Sequence, residues 1–132
     1  MSLLSELSEM LTYARPANSA TEHAFIARYV ANLPGAYQDT DHNWHVVTDV
    51  ASRVLWSCHT DTVHNYEGRQ TLHYDAVNQV LALSHKSKRH GRNCLGADDT
   101  AGVFICAQMI LAHVSGHYIF HYGEEKGCIA SA

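Results

Sequence analysis

The sequence predicts an α/β layer architecture, and three observations carry that prediction. Two segments with helical spacing open the chain, strand-like runs then alternate with one long apolar helical run, and short charge-dense motifs stand where apolar strands end. A chain of 132 residues with 46% hydrophobic and 17% charged residues is ordinary for one domain, so residues 1–132 are read as a single unit able to bury one core.

The elements follow in order. Leu3, Leu4, Leu7, Met10, Leu11 and Ala14 recur at helical spacing, which predicts an amphipathic helix over 2–15 with Ser2 as its cap. Ser19 and Glu22 form a capping box for a second helix, which buries Phe25, Ile26, Tyr29, Val30 and Leu33 before Pro34-Gly35 stops it. From Ala36 to Thr48 the pattern is that of short strands around a turn at Thr40-Asp41-His42-Asn43. Arg53–Cys58 shows little alternation, which suits a strand covered on both faces and leaves His59 at its carboxyl end. Residues 71–74 and 79–84 read as a hairpin. Residues 85–92, His85 to Arg92, form a basic cluster without apolar residues, and read as a solvated loop rather than a phosphate or carboxylate contact.

Residues 100–114 are apolar nearly all round and predict a buried helix closed by Ser115-Gly116, with Asp99 or Thr100 capping its start. One Asp at a helix start is ordinarily a cap, but the adjacent Asp98 is left unexplained, because neighbouring carboxylates repel unless a cation neutralises them. His117–Tyr122 alternates as a strand and runs directly into Gly123-Glu124-Glu125. The closing stretch from Cys128 to Ala132 reads as the opening of a further helix.

Composition narrows the function. The net charge of -4 argues against a general nucleic-acid binder, and no apolar run approaches the roughly 18 residues that span a bilayer. Neither nucleic acid nor membrane is expected as a partner. Cys58, Cys94, Cys106 and Cys128 include no Cys-x-x-Cys pair and follow no signal peptide, which fits a reduced, cytoplasmic protein with Cys58 and Cys106 as core residues. No Gly-x-Ser-x-Gly elbow or glycine-rich phosphate loop is present, and no Cys–His pairing stands out, which gives a serine or cysteine hydrolase little support.

What remains is the order of three motifs: His59-Thr60-Asp61, Gly96-Ala97-Asp98-Asp99 and Gly123-Glu124-Glu125. His-x-Asp spacing occurs twice, but His73-Tyr74-Asp75 falls inside the 71–84 hairpin, whereas His59 ends a strand. Open α/β sheets bind ligands beyond the carboxyl ends of their strands, which is where His59 and Glu124-Glu125 fall. Imidazole and carboxylates gathered there are donors suited to zinc.

The stretches Ser57–Val63, Leu95–Gly102 and Gly123–Gly127 resemble the metal-binding motifs of the co-catalytic zinc exopeptidases, most closely those of the peptidase T (tripeptide aminopeptidase) group, and the similarity spans roughly residues 20 to 130. The resemblance implies a three-layer α/β/α fold with a mixed, mostly parallel sheet. It implies that His59 and Glu125 bind zinc, that Asp98 bridges two zinc ions before a cis Asp98–Asp99 bond, that Asp61 orients His59, and that Glu124 is the general base. The expected activity is zinc-dependent removal of the amino-terminal residue from short peptides, by a protein able to form a homo-oligomer. The family pattern goes on to a further acidic ligand and a final His, whereas this chain ends seven residues after Glu125, so the expectation is a domain truncated at its carboxyl end. His121 or His64 then stand as substitute ligands. A catalytically incomplete metal-binding or assembly module of the same fold, and a related metal-dependent amidohydrolase or carboxypeptidase, remain the alternative readings.

Overall fold

The computed structural model describes residues 2–127. Helix α1 (Leu3–Leu11) is capped by the Ser2 hydroxyl, which accepts the Ser5 N–H. It ends four residues earlier than its apolar spacing predicts, because Tyr13–Ala14 turns into a short strand, β1, ahead of Pro16. Helix α2 (Ala20–Tyr29) starts at the predicted Ser19 cap and also stops early, although Val30 and Leu33 beyond it remain buried. Its Glu22 carboxylate reaches back past the cap to the Asn18 N–H at 2.7 Å, and its other oxygen accepts the Thr60 hydroxyl.

Strands β2 (Tyr37–Gln38) and β3 (Trp44–Val47) form the expected antiparallel pair around the 40–43 turn. Strand β4 (Leu55–His59) carries His59 as its last residue. Strand β5 (Gly68–Arg69) pairs with β1, a two-residue ladder too short to leave a periodic signal. Strands β6 (Leu72–Asp75) and β7 (Val80–Leu83) make the predicted hairpin, with His73 exposed within it.

The 85–92 segment is not a loop. Ser84 caps a short helix, α3 (His85–Arg89), and the Arg92 guanidinium is buried against the carbonyls of Tyr66, Glu67 and Arg69. Helix α4 (Ala97–Leu111) follows, though Asp98 and Asp99 depart from helical angles and its regular turns begin at Thr100. It is less buried than its composition predicts, since Ile105 and Leu111 face outward while Val103, Cys106, Ala107 and Ile110 face the core. Strand β8 (His117–His121) leads into a 3-10 turn, Glu124–Lys126. The helix expected to open at Cys128 lies outside the described residues.

The architecture is α/β, built on a mixed four-stranded sheet in the order β2-β3-β8-β4. The sheet is not mostly parallel: β4 and β8 form one parallel ladder, while β2–β3 and β3–β8 are antiparallel. A hairpin connection places β2 and β3 antiparallel, and only the pair joined through α4 needs the long crossover that parallel strands require. β4 is accordingly an edge strand, and its Leu55 is exposed rather than covered on both faces.

Alternation along the sheet assigns its two faces. Val46, Cys58, Tyr118 and Phe120 point into one core with Tyr13 of β1 and Met10, Phe25, Val103, Cys106 and Ile110 from the helices. The other face carries Tyr37, Val47 and Leu55, all exposed, so among the described residues the helices of the core form one layer. Each fully buried aromatic contributes about 1.5–3 kcal/mol of transfer free energy.

Buried Arg15 and half-buried Asp99 tie the elements together. Arg15 is wholly buried; its Nε donates to the Thr60 carbonyl and its Nη2 to the Thr100 hydroxyl, both at 2.8 Å, while its plane lies over the Phe25 ring at 3.7 Å. Burial lowers its pKa to about 10, partly offset by Glu22, Asp61 and Asp99, so it stays charged at neutral pH. At the start of α4, Asp99 Oδ1 accepts the Gly102 N–H at 3.0 Å. A Cβ on Gly102 would meet that oxygen at 2.2 Å.

Gly→Ala within a helix is ordinarily stabilising by about 0.5–1 kcal/mol. Gly102→Ala should reverse that sign and destabilise by about 1–3 kcal/mol, through displacement of the Asp99 cap, as read from urea unfolding midpoints at unchanged slope. A midpoint equal to or above that of the parent protein would refute this account of Gly102.

Candidate metal centre

Topology alone brings the three motifs to one edge. Because β4 and β8 are parallel, with His59 in register with His121, the residues that follow each strand emerge side by side. The crossover helix must return to the start of β8, so α4 begins at that same carboxyl edge and delivers Asp98 and Asp99 there.

Asp61 is the fully buried centre of the arrangement. Its Oδ1 accepts the Glu124 N–H at 3.2 Å and its Oδ2 the Glu125 N–H at 2.9 Å, which fixes the third motif to the first. Burial alone would raise the Asp61 pKa, but the His59 imidazole and the Glu125 N–H outweigh it and hold the carboxyl below its usual range. His59 Nδ1 lies 2.8 Å from the Asp61 backbone carbonyl and 3.3 Å from Asp61 Oδ1. The expected orienting role thus falls on the Asp61 main chain first and on its carboxylate second. A backbone carbonyl accepts only, so Nδ1 carries the proton and Nε2 turns outward.

Around that Nε2 three carboxylates converge: Asp98 Oδ1 at 2.9 Å, Glu124 Oε2 at 3.5 Å and Glu125 Oε1 at 3.8 Å. One donor atom from each of His59, Asp98 and Glu125 lies within 4.8 Å of the others, so this group could hold a metal ion. His59 is buried, Glu125 intermediate and Asp98 exposed, so the centre opens to solvent on the Asp98 side. The Asp98–Asp99 peptide bond is cis.

Electrostatics test the fit. Burial raises the Glu125 pKa, and the neighbouring Asp98 and Glu124 raise it further. Glu125 Oε1 is buried with no hydrogen-bond partner. Burial also disfavours a charged His59, yet its hydrogen bonds to Asp61 and Asp98 and the charges of Asp61 and Asp99 lift its pKa to about 9. The His59 imidazolium thus stands against three converging acids, which a divalent ion would neutralise more fully. An orphaned carboxylate oxygen beside imidazole and carboxylate donors is the donor set that zinc accepts.

The remaining sequence candidates fall elsewhere. His64 has both nitrogens engaged, Nδ1 at 2.5 Å from the Thr62 hydroxyl and Nε2 at 3.1 Å from Gln70 Oε1, and burial pushes its pKa down to about 4. It is a neutral structural residue. His121 lies beside His59 in the parallel ladder but does not join the three-donor group. The basic 85–92 segment packs against the Tyr66–Thr71 stretch instead of the centre.

Sequence reasoning missed the supports. Asp99 Oδ2 accepts the His59 N–H at 3.3 Å and so joins the second motif to the first. Asn43 Oδ1 accepts the Tyr122 N–H at 2.9 Å, just before the Glu-Glu turn. Arg15 clasps the Thr60 carbonyl within the first motif. A lone Arg beyond a helix and an Asn in a hairpin turn carry no spacing signal that would have found them.

No described helix is long and apolar enough to cross a membrane. Comparison with family models, curated proteins and solved structures gives no match.

Asp61→Asn would turn an NH2 group toward one of the two backbone N–H donors it now accepts. The substitution should weaken divalent-metal affinity about 10–100-fold, measured by competition with a chromophoric chelator. Unchanged affinity in a folded Asp61→Asn protein would remove Asp61 from this role.

Proposed function

We propose that this chain carries the metal centre of a zinc-dependent exopeptidase, related to the peptidase T group, that releases amino-terminal residues from short peptides. The observation that carries the reading is the convergence of His59, Asp98 and Glu125 on one point, with Glu124 beside them. A bound zinc ion supplies Lewis acidity, which acidifies a water molecule toward neutral pH and polarises a carbonyl.

The residues of the chain divide the remaining work. His59 Nε2, an Asp98 oxygen and Glu125 Oε1 are the proposed protein donors. Glu124 is not counted among them; its Oε2, 3.5 Å from His59 Nε2, takes the proton from the attacking water as the new C–O bond forms. It then passes that proton to the amine nitrogen as the C–N bond breaks. Asp61 holds both acidic residues of the turn through their N–H groups, so base and ligand keep a fixed spacing.

The two-ion form needs donors beyond this group of three. A three-layer form likewise needs a second helical layer over Tyr37, Val47 and Leu55. Cytoplasmic placement is proposed with the same reading.

The test separates chemistry from metal binding. Chain purified with zinc should hydrolyse a tripeptide from its amino end, and Glu124→Gln should lower kcat about 10²–10⁴-fold while bound zinc, measured by atomic absorption, stays at the parent level. Failure to take up any divalent ion would overturn the metal centre. Metal uptake without peptide hydrolysis would instead favour the binding-module alternative.

A further inference from the structure

A second group of histidines lies on the sheet face opposite the helices, away from the centre described above. The β3–β8 register pairs His45 with Ile119 and Val47 with His117, so His45 and His117 sit diagonally across the ladder. His45 Nδ1 is 3.0 Å from His117 Nε2, with the two rings tilted by 49°. The other nitrogen of His45, Nε2, is 2.6 Å from Asp39 Oδ2, and Tyr37 stacks on the ring at 5.1 Å and 11°.

Asp39 is itself held in place. Its Oδ1 accepts the Asp41 and Asn43 N–H groups at 2.8 and 3.0 Å. Burial works against its charge, but the hydrogen bonds from His45, Asn43 and Asp41 outweigh that and hold its pKa down to about 2. An ionised carboxylate only accepts, so His45 keeps its proton on Nε2 and presents the Nδ1 lone pair to His117. A carboxylate fixing the tautomer of an imidazole whose other nitrogen faces a second donor is the arrangement that supports metal-ligating histidines.

We propose that His45 Nδ1 and His117 Nε2 form a second metal-binding site for an imidazole-preferring divalent transition ion such as nickel, copper or zinc, with Asp39 orienting His45 and water completing the coordination. Two bonds of about 2.0–2.1 Å at a tetrahedral angle separate their nitrogens by about 3.3 Å, so the rings must part by about 0.3 Å and turn until both nitrogens aim at the ion instead of at each other. His117 must then carry its proton on Nδ1, a tautomeric shift that leaves the net charge of the ring unchanged. Hard oxygen-seeking ions such as magnesium or calcium are not expected to bind. The site uses none of the first group's donors: His117 starts β8, whereas His59 is in register with His121 at its end, about 13 Å along the strand.

Equilibrium dialysis of the full chain against nickel chloride tests the site. The parent protein should bind one more equivalent than His117→Gln, His59→Gln should retain that equivalent, and Asp39→Asn should weaken it about 10–100-fold. A His117→Gln isotherm superimposable on that of the parent, or an equivalent lost only in His59→Gln, would overturn the proposal. Should His117→Gln fail to fold, proton NMR of the parent decides: substoichiometric nickel should broaden the ring C–H signals of His45 and His117, and sharp signals there at saturation would equally overturn it.

Discussion

The buried Asp61 carboxylate, receiving the N–H groups of Glu124 and Glu125, is the constraint on which the candidate centre depends. A buried ionised group is costly unless it is hydrogen-bonded, and here its donors belong to the segment that must be positioned. Asp61 thereby ties the end of β4 to the turn after β8, while the Asp99 carboxylate ties that same end to the start of α4. Each motif supplies one donor to the centre and one bond that holds another motif still.

Arg15 performs the corresponding task beneath them. Its guanidinium satisfies the Thr60 carbonyl and the Thr100 hydroxyl, and its own N–H and carbonyl bond Thr62. The first motif is thus fastened on its core side to the chain just past α1, while its outer side faces the acidic cluster. Catalytic geometry needs such support, because a donor displaced by an ångström no longer reaches a shared ion.

Much of this was legible in the sequence, for identifiable reasons. The Ser2 and Ser19 caps, the 71–84 hairpin and the placement of His59 at a strand end all follow from local spacing, and local spacing survives folding. Early helix ends, the edge position of β4 and the antiparallel majority of the sheet depend on which segment pairs with which, and no periodicity encodes that. The centre divides in the same way. His59, Asp98 and Glu125 stood out as charges at apolar boundaries, whereas Asp99 as a link to β4 and Arg15 as a clasp became visible only through contacts more than 35 residues apart in sequence.

The turn that carries Glu124 and Glu125 begins and ends with glycines in the left-handed region, Gly123 at φ 70° and Gly127 at φ 87°. His59 ends a strand of the sheet and Asp98 stands just ahead of the regular turns of α4, while Glu125 rides on a three-residue arm between two residues free of a side chain. The two left-handed glycines let the chain reverse tightly at each end of the arm, so both N–H groups within it reach the one Asp61 carboxylate. The acidic pair is in this way set like a stone in a clasp, closed by backbone curvature at its ends and by one buried carboxylate beneath.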